Sequence, residues 1–192
     1  MHFQALGQGA PIVLLHSNAS SVWSWSRVIG PLAKSNAIYA LDTMGQGDSG
    51  KPSREYRVKD YAASVVDFMT AAGLGRASLI GNSVGAIIAV QLAAEYPDRI
   101  RRLVLVGCPC RETEEEHRLA MAATRARLDK NCVPIPRTLE DLRQHYVNVS
   151  PELLARVNED QAKAGVWAWK SSAASHDCDI VSALRRIKAK TL

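Results

Sequence analysis

The sequence predicts an α/β fold, a mostly parallel sheet flanked by helices that also carries a helical cap insertion. Three observations predict it. Short runs rich in valine, leucine and isoleucine at 12–16, 37–42, 77–82 and 102–107 lack polar alternation, as strands covered on both faces do. Helical patterns separate these runs, so strand alternates with helix as in right-handed crossover units. After Gly107 the strand signal stops, and helix signals alone continue to about Ile187.

Taken in order, the strand 12–16 leads into a helix over 22–33, and the strand 37–42 into a helix over 58–72. The second helix puts Tyr61, Val65, Phe68, Met69 and Ala72 on one side. The strand 77–82 runs into a helix over 84–95, which Tyr96-Pro97 ends. Past the strand 102–107, a helix over 112–130 has acidic residues first and basic ones last, as the helix dipole prefers. Val133-Pro-Ile-Pro136 breaks it. Helices over 138–146 and 151–164 follow, the second with Ser150 as cap and Pro151 at its first position. An aromatic patch, Trp167-Ala-Trp169, precedes a last helix over 180–187. The division expected is a core over 1–110, a helical cap over 111–187 and the start of a returning strand over 188–192. An insertion of roughly seventy-five residues is too long for an ordinary loop.

Composition narrows the function classes. At 192 residues, 47% hydrophobic and 22% charged, the chain fits one globular unit with a substantial core. Its net charge of +5 is scattered, and the groups Arg99-Ile-Arg-Arg102 and Arg185-Arg-Ile-Lys188 make no stripe with aromatic platforms. Nucleic acid is therefore not an expected partner. No apolar run approaches the ~20 residues of a membrane span, and the N-terminus lacks the pattern of a signal peptide. Of the cysteines at 108, 110, 132 and 178, only Cys108 and Cys110 are close, and no second pair at metal-ligand spacing answers them. Structural thiols in a reducing cytoplasm are expected.

The chemistry concentrates at Gly81-Asn-Ser-Val-Gly85. A G-x-S-x-G pattern where a strand meets a helix is a nucleophile elbow, since small flanking residues let the chain turn sharply and expose the serine hydroxyl. Ser83 is the candidate nucleophile, and an incidental serine in a tight turn is the lesser reading. An acyl-transfer serine needs two oxyanion donors. Val84 N–H, following the nucleophile, is one. The loop His16-Ser-Asn-Ala-Ser20 supplies the other, from Asn18 ahead of Ser17. His16, at the strand end, suits bracing this loop better than proton transfer. Gly45-Gln-Gly-Asp-Ser-Gly50 matches a dinucleotide pattern, but Lys51-Pro52-Ser53 follows where a helix should begin. Its glycines are expected to shape a turn, with no cofactor.

These segments together resemble the α/β-hydrolase superfamily in its capped branch. Pro11-Ile-Val-Leu-Leu-His16 is similar to the strand before that family's oxyanion loop, with Ser17 where glycine is usual. Asp42-Thr-Met-Gly-Gln-Gly-Asp-Ser49 resembles its D-x-x-G-x-G-x-S turn, and Gly81–Gly85 its elbow. Tyr96-Pro-Asp-Arg-Ile with Leu103-Val-Leu-Val106 resembles the approach to the next strand. The resemblance implies a serine hydrolase acting through a Ser83 acyl-enzyme on an ester, lactone or related carbonyl, without metal or organic cofactor. Serine at the elbow argues against the dehalogenase and epoxide-hydrolase branches, which use aspartate there. The family's order is Ser, then Asp or Glu, then His. By that order the acid and the base would follow the strand starting near Lys190, and Gly107-Cys-Pro-Cys-Arg111 offers no acid. Phe3 to Pro11 resembles the end of the family's second strand, so a chain truncated at both ends is expected. His117, His145 and His176 fall in the cap, and His176, beside Asp177 and Asp179, is the best-placed substitute base. Met121, Trp167 and Trp169 suggest a pocket for a small apolar substrate. The rivals are a non-catalytic binding protein of the same fold and a carbon–carbon bond hydrolase.

Overall fold

The computed structural model describes residues 1–111 and 113–192. Six strands form one sheet in the order β1-β3-β2-β4-β5-β6: β1 (Phe3–Leu6), β2 (Ala10–Leu15), β3 (Asn36–Leu41), β4 (Ala77–Asn82), β5 (Ile100–Val106) and β6 (Lys190–Thr191). Only β1 runs antiparallel, against β3; every other pairing is parallel. The apolar runs are central strands because both sheet faces are covered. Val13 and Leu15 join one buried cluster and Leu14 the other, as the two-residue period of a strand requires. Each such side chain contributes roughly 1.5–3 kcal/mol on burial.

Helices α1 (Ser26–Ala33), α2 (Val58–Ala71) and α3 (Val84–Glu95) connect these strands. The predicted helix over 22–33 begins instead as a 3-10 turn, Val22–Trp25, because Ser21 Oγ accepts from Trp23 N and tightens the entry. From Gly85 to Val90 every residue of α3 is buried, since β4, β5, α2 and the later helices over 167–176 and 180–185 pack on it. An amphipathic pattern is absent there for that reason.

Among the described residues five helices lie between β5 and β6: α4 (Glu114–Arg125), α5 (Leu139–Arg143), α6 (Pro151–Ala164), α7 (Trp167–His176) and α8 (Ile180–Arg185). The helix expected over 112–130 ends at Arg125, and its expected start at Glu112 lies outside the described residues. Asp129 explains the early stop. Its Oδ1 accepts from Asn131 N (2.8 Å) and Val133 N (2.9 Å), a local turn that outcompetes helix. A small hairpin follows, closed by Asp129 N donating to Val133 O and Ile135 N to Arg127 O. Helix α5 is shorter than its predicted 138–146, and α8 stops two residues before 187. Helix α7 was missing from the prediction. Its buried face is Trp167, Ala168, Ser171, Ser172 and Ser175, and the three serines interrupt the apolar period that would mark it. Strand β6 pairs with β5 in parallel, with Lys190 beside Arg102 and Thr191 beside Leu103. Among the described residues no helix is long and apolar enough to cross a membrane.

Candidate active site

Strand β4 passes into α3 through Ser83, whose φ of 54° and ψ of −116° lie outside the ordinary regions for a residue with a side chain. Such strain persists only where surroundings enforce it. Ser83 N donates to Val106 O at 2.9 Å, tying the corner to β5. Both elbow glycines are required by close approach. A Cβ on Gly81 would collide with Gly85 O, and one on Gly85 with the carbonyls of Leu15 and His16. The sharp turn thus rests on α3 crossing directly above the end of β2.

That strand end carries the second half of the site. His16 is 2% exposed, its Nδ1–H donating to Ser17 O (2.7 Å) and its Nε2 accepting from Thr43 N (3.1 Å). Burial holds its pKa below the usual imidazole value. With both nitrogens occupied, His16 braces the loop, as its position suggested. Gln46, which sequence reasoning passed over, fastens the same loop. Its Oε1 accepts from Ala19 N (3.0 Å), and its Nε2 donates to Trp167 O (3.1 Å) and Ser171 Oγ (2.9 Å). Asn18 reaches α7 as well, its Nδ2 donating to Ala168 O (2.8 Å) and its Oδ1 accepting from Ser171 Oγ (2.7 Å). Helix α7 is therefore latched to the loop beside Ser83.

Ser83, Val84 and Asn18 line one cavity of about 260 Å³, so the structure brings all three predicted site residues together. His176 lines it too. Its Nδ1 is buried without a partner, its ring lies edge-on to His117 at 6.2 Å, and burial with nearby Arg111 lowers its pKa. Among the described residues no histidine hydrogen-bonds Ser83 Oγ. His145 borders a different groove, under α6. The apolar lining expected of Met121, Trp167 and Trp169 is absent among the described residues. Trp167 packs instead on Gly45, where a Cβ would come within 2.8 Å of its ring, and Trp169 borders a separate cleft. Polar and cationic side chains take their place, among them Arg111, Arg127, Arg137, Gln161 and Ser172.

A family model described as the alpha/beta hydrolase fold matches residues 10–132. The chain belongs to the α/β-hydrolase fold family. It is 37% identical over 105 residues to the 2-hydroxymuconate semialdehyde hydrolase of Pseudomonas sp. strain CF600, covering 53% of this chain and 37% of that relative. Among solved structures it resembles an esterase from Exiguobacterium antarcticum (TM-score 0.78, 20% identity, 99% of this chain and 74% of that one). It also resembles the enol-lactonase from Burkholderia xenovorans LB400 (TM-score 0.76, 23% identity, 99% and 75%). At these identities the structures show the fold. The matches span about a third of the curated relatives' length, 31% and 37% in two cases.

Within this α/β hydrolase the turn after β3 is organised by buried Asp42. Its carboxylate accepts from Val22 N (2.7 Å), Asp48 N (2.9 Å) and His2 Nδ1 (2.8 Å). Gly47, at φ 48°, is needed because a Cβ would strike that carboxylate. Between the glycines and Val58 no helix starts, so they shape a turn rather than open a helix. The ligand atoms of His2, Asp42 and Asp48 lie within 4.8 Å of one another, the one such group among the described residues. Internal partners already occupy them, with Lys163 Nζ on Asp48 at 2.9 Å.

Proposed function

We propose that this chain carries the nucleophile, the oxyanion donors and the cap of a serine hydrolase acting on an ester, lactone or related carbonyl bond. The observation that carries the reading is the strained φ of 54° at Ser83 on the β4–α3 corner, a cost that an incidental serine would not need. Ser83 Oγ attacks the carbonyl, Val84 and Asn18 N–H groups stabilise the oxyanion, and collapse expels the leaving group to form the acyl-enzyme. Water then releases the acid. Helices α4–α8 act as the cap over this pocket. Four unpaired thiols support a cytoplasmic setting.

A fluorophosphonate probe tests the nucleophile directly. It should label one serine, Ser83, and only slowly because no histidine activates its Oγ, and Ser83→Ala should abolish that labelling; label on other serines with none on Ser83 after prolonged incubation would refute the assignment. Without a histidine on Ser83 Oγ, turnover by the 192-residue chain should stay near the residual advantage of roughly 10³–10⁴ over water left to oxyanion stabilisation and positioning. Robust p-nitrophenyl ester turnover that Ser83→Ala removes would contradict this and make His176 the next residue to replace. The absence of that histidine contact also favours a second reading, a non-catalytic binding module. Likeness to the 2-hydroxymuconate semialdehyde hydrolase keeps carbon–carbon bond hydrolysis as a rival chemistry for the same nucleophile.

A further inference from the structure

We propose that the Ser83 cavity selects ligands bearing a carboxylate, held by Arg127 and Arg137 with Arg111 lining the same space. The inference rests on the Ser83 cavity being the active site and names the class of substrate it takes.

Both arginines have a built backbone position. Arg127 follows α4 at the start of the small hairpin, where its carbonyl accepts from Ile135 N at 3.0 Å. Arg125 Nη1 donates to Leu128 O (3.2 Å) and Asp129 O (2.7 Å), closing the adjoining turn. Arg137 leaves the hairpin and is clamped by Asn158 of α6. Asn158 Oδ1 accepts from Arg137 N (2.7 Å), and its Nδ2 donates to Arg137 O (3.0 Å). Leu128 and Pro134, from the hairpin between them, line the cavity too.

Their charges are not neutralised by the protein. Arg54, Arg118, Arg143 and Arg156 each pair with a carboxylate. Among the described residues Arg111, Arg127 and Arg137 form no ion pair. Burial and the positive charge of Arg127 both lower the pKa of Arg137, with Asp141 and Tyr146 opposing. Arg127 is exposed and Arg111 and Arg137 are half-buried, and like charges gathered at one cavity repel until an anion joins them. A guanidinium fork also matches a carboxylate with two parallel hydrogen bonds. Gln161 Oε1 and His176 Nδ1 are further buried atoms without a protein partner, and both residues line the same cavity.

Binding measures this without turnover. Titrate the Ser83→Ala chain calorimetrically with monomethyl succinate, glutarate and adipate, and with the three dimethyl esters. At least one half-ester should bind about tenfold or more tightly than its diester, a difference of about 1.4 kcal/mol. Arg127→Gln with Arg137→Gln should erase the preference, while Arg127→Lys with Arg137→Lys should keep part of it. Circular dichroism melting of each variant excludes misfolding as the cause. No preference at any length, or a preference that survives the glutamine pair in a folded protein, would overturn the proposal. Fluorophosphonate labelling of Ser83 reads the hydrolase assignment separately, so either idea can fail alone.

Discussion

Gly85 is where α3 and β2 come closest, and no side chain there can swing aside to relieve a substitution. Two backbone carbonyls block the space a Cβ would take. Gly85→Ala should therefore cost about 1–3 kcal/mol or more, as overpacking does, in urea unfolding. Gly30, inside α1, has nothing within 4 Å of its Cβ position, and Gly30→Ala should stabilise by about 0.5–1 kcal/mol. Equal effects at both sites would remove the close-approach account of the elbow. His16 predicts a pH response. Its pKa is lowered in the fold, so the unfolded chain takes up a proton first as pH falls below about 6.5. Its contribution is thus complete above that value and shrinks as pH drops toward the folded pKa, at up to about 1.4 kcal/mol per pH unit. His176 adds a change of the same sign. Unfolding midpoints of the wild type and His16→Asn between pH 7 and 5 should differ in slope, with the variant flatter.

At the level of elements, hydrogen bonds join α7 to the loop carrying Asn18 and to the turn after β3. Ser171 of α7 donates to Asn18 Oδ1 and accepts from Gln46 Nε2, so it holds the loop carrying Asn18 and the turn after β3 together. Ser171→Ala leaves buried polar partners short of a hydrogen bond, a cost of about 1–3 kcal/mol. It should also slow fluorophosphonate labelling of Ser83, because the loop carrying Asn18 loses its anchor. Unchanged labelling in a destabilised variant would show that the latch serves stability alone. The hairpin after α4 gives the complementary lesson. Acidic-to-basic ordering over 112–130 promised a longer helix, but one aspartate side chain at 129 captured two backbone N–H groups and turned the chain.

Across the whole molecule the sheet is well covered at its centre and thin at one border. Strand β6 pairs with β5 through two residues, and Val106 at the far end of β5 is 47% exposed. An edge of this kind can template pairing with another chain, although Arg101, Arg102, Lys188 and Lys190 are exposed near it and oppose association. The 192-residue chain should thus associate with rising concentration, and more readily at high salt, where those charges are screened. Size-exclusion chromatography across both variables tests this; a monomer at every condition would mean the border is protected otherwise.

Sequence alone determined the sheet and the sharp corner at Ser83, because both follow from local rules. Buried parallel strands must be continuously apolar, and a sharp strand-to-helix turn must place small residues around Ser83. Residues 12–16, 77–82 and 84–95 carry those rules in the chain itself. Tertiary structure alone decided what surrounds the serine. Trp167 and Trp169 read as pocket residues, yet α7, packed through serines, turns one onto Gly45 and the other to a separate cleft. Gln46 became a clamp and Arg127 and Arg137 cavity walls through contacts between residues far apart in the chain. Such contacts leave no periodicity, since the direction of a side chain depends on the partner packed against its element.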